Sequence, residues 1–139
     1  MRVRAHIDGA ARGNPGPAGA GAYIEPEGRP VEERFEALGE TTNNVAEYRA
    51  LLLALKRARE MGAESVEILS DSLLLVQQVN GVFKVKAAHL LPMVSEAVRL
   101  AKEFRRFSIR HVRREENKKA DRLANLGADA SEASCSGRG

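Results

Sequence analysis

A chain of 139 residues, 43% apolar and 29% charged, is long enough for one domain with a buried core and has an ordinary globular composition. No apolar run approaches the roughly 20 residues that cross a bilayer, the N-terminal MRVRAHIDGA lacks a secretory apolar region, and a single cysteine excludes an internal disulfide or a Cys/His zinc set. A soluble cytoplasmic protein without a membrane partner is expected. Its net charge of +3 conceals an asymmetry: ten of 22 Lys and Arg lie between Arg99 and Arg122 against four acids, whereas residues 1–69 carry nine bases and eleven acids. A basic segment beside a more acidic one suits a polyanionic partner, and equally suits two solvated helix faces.

Residues 2–8 read as a strand ending at Asp8. The Gly- and Pro-rich ARGNPGPAGAG that follows reads as a loop. Residues 20–38 read as two strands joined by a turn at Glu27-Gly28. From Asn43 to Met61, Val45, Tyr48, Leu51, Leu52, Leu55 and Ala58 recur near a 3.6 period, with capping residues Thr41 to Asn43 before them and Gly62 as a stop. A strand at 65–70, helices at 72–80 and 90–104, a strand at 107–112 and a helix at 117–128 complete the order β-β-β-α-β-α-α-β-α. Short turns predict antiparallel pairing of the first three strands, and the intervening helices predict parallel pairing of the later ones. Residues 1–129 are expected to form one domain, and 130–139 a disordered Ser/Gly-rich tail that exposes Cys135.

Four acids stand out by position. Asp8 closes the first strand and Asp71 follows the fourth, at the carboxyl ends where ligand sites gather in parallel sheets. Glu47 and Asp121 lie in the first turns of two helices. Taken singly, they read as a turn residue, a cap and two dipole partners. Together in one cleft, they would repel one another until cations bound. All-oxygen donors select magnesium or manganese, and two such ions suffice to hydrolyse a phosphodiester without a covalent nucleophile.

The blocks DGAARGNPGPAGAGAYI, TTNNVAEYRALLLAL, SDSLLLVQQVNG and RREENKKADRLAN resemble the successive signatures of type 1 ribonuclease H, in family order, from about Arg2 to Ala128. The resemblance implies an α/β ribonuclease H-like fold, a mixed five-stranded sheet flanked by helices. It also implies an endonuclease that cuts the RNA strand of RNA–DNA hybrids, with Asp8, Glu47, Asp71 and Asp121 holding two Mg²⁺ or Mn²⁺ ions. Gly9, Ala10, Ala11, Arg12, Gly13, Asn14, Thr42, Asn43 and Asn44 would touch the hybrid. A monomer is expected, with a dimer as the alternative.

The chain departs from the pattern in three places. The loop before the last helix lacks the usual His, and Arg114, seven residues before Asp121, would replace it; His111 reads as a strand residue. The basic, Trp-containing insertion between the two middle helices is missing, which leaves Lys84 and Lys86 as weaker phosphate contacts. Leu73 stands where a Gln is common. The alternatives are a non-catalytic hybrid- or RNA-binding module of the same fold and a two-metal nuclease acting on double-stranded RNA.

Overall fold

In the computed structural model, which describes residues 1–81 and 84–136, five strands and four helices follow the expected order. The strands are β1 (Arg2–Ala11), β2 (Gly16–Pro26), β3 (Glu32–Thr41), β4 (Ser65–Ser70) and β5 (Arg106–His111). The helices are α1 (Asn43–Glu60), α2 (Leu73–Val79), α3 (Leu91–Lys102) and α4 (Lys118–Ser136). The sheet runs β3-β2-β1-β4-β5, with β2 antiparallel to both β1 and β3, β4 parallel to β1, and β5 parallel to β4. Among the described residues, no helix is long and apolar enough to cross a membrane.

Strand alternation divides the packing between the two faces. Val3, Ala5 and Ile7 of β1, with Ala20, Ala22 and Ile24 of β2, are buried against Tyr48, Leu51, Leu52 and Leu55 of α1. On the opposite face α4 lies directly on β2. An added Cβ at Gly19 would sit 2.3 Å from the Ala124 carbonyl oxygen, and one at Gly21 would sit 2.4 Å from the Ala124 nitrogen. The segment 16–19, expected as loop, is therefore strand, β1 runs three residues past Asp8 to Ala11, and only 12–15 turn. Here several glycines serve the close approach of a helix rather than a bend of the chain.

The last helix is also longer than expected. Where the composition of 130–139 predicts disorder, α4 continues to Ser136. Ser131 is buried, its Oγ donating to the Ala18 carbonyl at 2.6 Å and accepting from Gly39 N at 3.0 Å. A small hydroxyl that satisfies two strand groups makes this Ser/Ala run a docking surface. Residues 137–139 and the side chain of Cys135 lie outside the described residues.

A bidentate pair ties β3 to α1: Arg57 Nε and Nη2 reach Glu32 at 2.7 and 2.8 Å. The guanidinium holds the Glu32 carboxyl at about 2, below its ordinary 4.5. Such a pair stabilises the fold above the unfolded-state pKa and loses its effect as the pH falls from about 4.5 towards 2. Arg57→Met is therefore expected to lower Tm at pH 7 and to lower it progressively less through that acid window. Thermal melts of both proteins across pH check this.

Candidate active site

Register sets the first two acids side by side. Ile7 of β1 pairs with Ser70, the last residue of β4, so Asp8 of β1 and Asp71, just past the end of β4, follow the last paired positions. Gly9 brings in the third. A Cβ there would lie 2.3 Å from Glu47 N and 2.4 Å from the Ala46 carbonyl carbon, so α1 packs backbone to backbone on β1 and delivers Glu47 next to Asp8. Asp121 comes from the opposite face, in the first turn of α4. Asn117 anchors that helix start: it is fully buried, its Nδ2 donates to the Ile7 carbonyl at 2.9 Å, and its own carbonyl accepts from Asp121 N at 3.0 Å. One residue thus couples the peptide before Asp8 to the turn bearing Asp121.

The four carboxyls line one open cleft with Gly9, Ala10, Ala11, Asn43, Arg114 and Asn125. Asp8 is pushed up to about 8, first by burial, then by the charge of Asp71, with a hydrogen bond shared with Asp121 and the charges of Asp121 and Glu47 adding to it. Glu47 is also raised, mainly by burial; the Ser72 hydroxyl, donating to it, opposes the rise. Among the described residues, no three His, Cys, Asp or Glu side chains form a ready-made metal cluster. The cleft does, however, collect four hard oxygen donors whose mutual repulsion a divalent cation relieves. This donor set suits magnesium or manganese and lacks the thiolates and imidazoles that softer metals prefer.

The remaining residues named from sequence divide into two groups. Gly9, Ala10, Ala11 and Asn43 wall the cleft, and Arg114 reaches it from a short 3-10 turn after β5. Asn43 is locked in place, its Oδ1 accepting from Ala11 N at 2.9 Å and its own N–H donating to Asn14 Oδ1 at 3.2 Å. Thr42 caps α1, its hydroxyl accepting from Val45 N. Asn14 and Thr42 thus brace the rim, while Asn44 is exposed beside it.

Arg12 and Gly13 do not line the cleft. Arg12 turns away, its guanidinium lying 2.5 Å from both Asp129 and Glu132 of α4. Lys84 and Lys86 are exposed on the segment between α2 and α3, also away from the cleft lining. His111 is an exposed residue of β5, as read from sequence. Sequence reasoning missed Ser72 and Asn125. The available signals were a Ser directly after a candidate ligand and an Asn one helical turn beyond Asp121.

The reverse transcriptase-like family matches residues 6–127. A bifunctional protein of Mycobacterium tuberculosis is 45% identical over 132 residues, 94% of this chain and 36% of its own length. The solved N-terminal ribonuclease H domain of that protein superposes with a TM-score of 0.92 at 44% identity, over 97% of this chain and 99% of that one. Ribonuclease HI of Halobacterium salinarum is 40% identical over 92% of this chain and 65% of its own length. This chain thus spans about a third of the mycobacterial protein and about two thirds of the archaeal one. LC11 ribonuclease H1, solved in complex with an RNA/DNA hybrid, superposes with a TM-score of 0.84 at 38% identity, over 93% of this chain and 98% of that one.

Proposed function

We propose that this chain, which belongs to the ribonuclease H family, is an endonuclease that hydrolyses the RNA strand of RNA–DNA hybrids. The observation that carries the reading is the convergence of Asp8, Glu47, Asp71 and Asp121 on one open cleft. The hybrid held by LC11 ribonuclease H1 supports the choice of substrate.

The four carboxylates would hold two Mg²⁺ or Mn²⁺ ions. Such ions supply activation of a water nucleophile and charge stabilisation at the departing 3′-oxygen, which gives 5′-phosphate and 3′-hydroxyl products. Gly9, Ala10 and Ala11, which wall the cleft, would lie beside the bound strand, where ribose 2′-hydroxyls distinguish RNA from DNA. Arg114 sets a permanent cation at the edge of the acidic cleft, in reach of a phosphate. Lys84 and Lys86 add phosphate contacts farther out. With so few bases committed to the substrate, binding should be modest and should weaken steeply with salt.

The test is cleavage of an end-labelled RNA–DNA hybrid with Mg²⁺ or Mn²⁺, beside single-stranded RNA, double-stranded RNA and DNA duplex. Metal-dependent cutting confined to the RNA strand of the hybrid is expected. Preferential cutting of double-stranded RNA would reassign the substrate. Hybrid binding without cutting, in Mn²⁺ at low salt, would leave a binding module and refute the proposal.

A further inference from the structure

We propose that Arg12 and Asn125 are positioning residues for the Asp121 carboxylate rather than nucleic-acid contacts, and that residues 129–132 of α4 belong to the active-site frame. This inference rests on the hybrid-cleavage reading above. It concerns residues outside the four-carboxylate set.

The geometry forms a relay. Arg12 leaves the end of β1 and meets α4 with two ion pairs, to Asp129 and to Glu132, both at 2.5 Å. These acids are three residues apart and share one helix face. The same guanidinium lies 3.4 Å from the backbone oxygen and from Oδ1 of Asn125. Asn125 stands one turn after Asp121 and one turn before Asp129. Its Nδ2 donates to the Asp121 carbonyl at 2.9 Å and to the Asp121 carboxylate at 3.3 Å.

Donor chemistry fixes the direction of the relay. A guanidinium has donors and no acceptor, so Arg12 takes the oxygen of the Asn125 amide. The amide nitrogen is thereby turned towards Asp121, the one cleft acid supplied by α4. A donor held there keeps that carboxylate oriented beside Asp8, whose carboxyl it also bonds. Two carboxylates engage the Arg12 cation and leave little charge for a phosphate. The fold thus assigns Arg12 a different task from the substrate contact that the family resemblance implies.

The test uses the full chain and three variants: Arg12→Met, Asn125→Asp, and the double change Asp129→Asn with Glu132→Gln. Three readouts are taken: kcat and KM on a hybrid, hybrid affinity by fluorescence anisotropy without metal, and the Mn²⁺ concentration that gives half-maximal thermal stabilisation. Arg12→Met is expected to lower kcat about tenfold and to raise the Mn²⁺ midpoint, as loss of a ligand's outer hydrogen bonds does, with hybrid affinity unchanged. Asn125→Asp still accepts from Arg12 but cannot donate to Asp121, so its kcat should fall by a similar factor. The double variant should lose kcat in the same direction.

Three results would overturn the inference: weaker hybrid binding by Arg12→Met at unchanged kcat, wild-type kcat in Asn125→Asp, or tighter hybrid binding by the double variant at unchanged kcat. A wild-type protein that cuts no hybrid defeats the functional reading alone. In that case the Mn²⁺ midpoint of Arg12→Met still decides the relay: a shift supports it and an unchanged midpoint rejects it.

Discussion

Asp8→Asn is expected to abolish hybrid cleavage and, in the same protein without metal, to raise the melting temperature. The catalytic loss should reach about 10³-fold or more, equivalent to about 4 kcal/mol of barrier, because Asp8 sits between the other acids and no neighbour can take its place. The stability gain follows from the same crowding. Burial and the charge of Asp71 push the Asp8 carboxyl up to about 8. Between its ordinary value near 4 and that raised value, the folded protein therefore binds a proton that the unfolded chain does not. Wild-type stability falls as the pH rises across this window, whereas an amide never ionises. The difference in Tm between Asp8→Asn and wild type should grow from pH 4 to pH 8 and level off above it. At pH 8 the gain should be about 1–2 kcal/mol, since the carboxyl is only partly buried and draws water to itself on ionising. Mn²⁺ should reverse the order by stabilising wild type and leaving the variant unmoved. Melts with EDTA and with Mn²⁺ at pH 5 and pH 8 separate these outcomes. A variant no more stable than wild type at pH 8 would mean that the acids are not crowded as the register implies.

This coupling of function to cost also explains which parts of the site could be read from the sequence. Asp8 and Asp71 were legible because one follows the alternating run Val3, Ala5, Ile7 and the other follows β4, and parallel register places the two side by side, although β1 continues three residues past Asp8, to Ala11. Glu47 was legible because its helix has a clean 3.6 period. The segment 16–19 was not legible as strand, since a glycine that admits a helix and a glycine that bends the chain are the same letter. Gly19 and Gly21 do the former, and Gly13, at φ 99°, does the latter. The end of α4 was hidden for a related reason. Ser131 is small because it sits on β2 and β3, and smallness without aromatic or branched neighbours reads as linker. The ion pairs of Arg12 with Asp129 and Glu132 could not be read from the sequence, because both partners follow the last residue expected to be helical.

The largest structural effect is expected from the smallest change, Gly19→Ala. The added methyl would meet three backbone groups of α4 at once: the Ala124 carbonyl oxygen and Ala128 nitrogen at 2.3 Å and the Gly127 carbonyl carbon at 2.5 Å. None of these can rotate away, so relief requires α4 to lift from β2 as a body. That motion would break the two Ser131 bonds and the seat of Arg12, and would carry Asp121 away from Asp8. A loss of about 3 kcal/mol, at the upper end for overpacking, is expected in chemical denaturation, together with most of the activity. Gly62→Ala supplies the contrast. Gly62 closes α1 at φ 74° with nothing within 4 Å of the added carbon. Its alanine suffers only the left-handed backbone cost of about 1–2 kcal/mol and leaves the cleft intact. Both variants remove the same glycine freedom from the unfolded chain, so the difference between them is the helix contact at Gly19 less the left-handed cost at Gly62. Should Gly19→Ala unfold at the same denaturant concentration as Gly62→Ala and retain cleavage, α4 would not be seated on β2 at contact distance, and the frame that holds Asp121 would have to lie elsewhere.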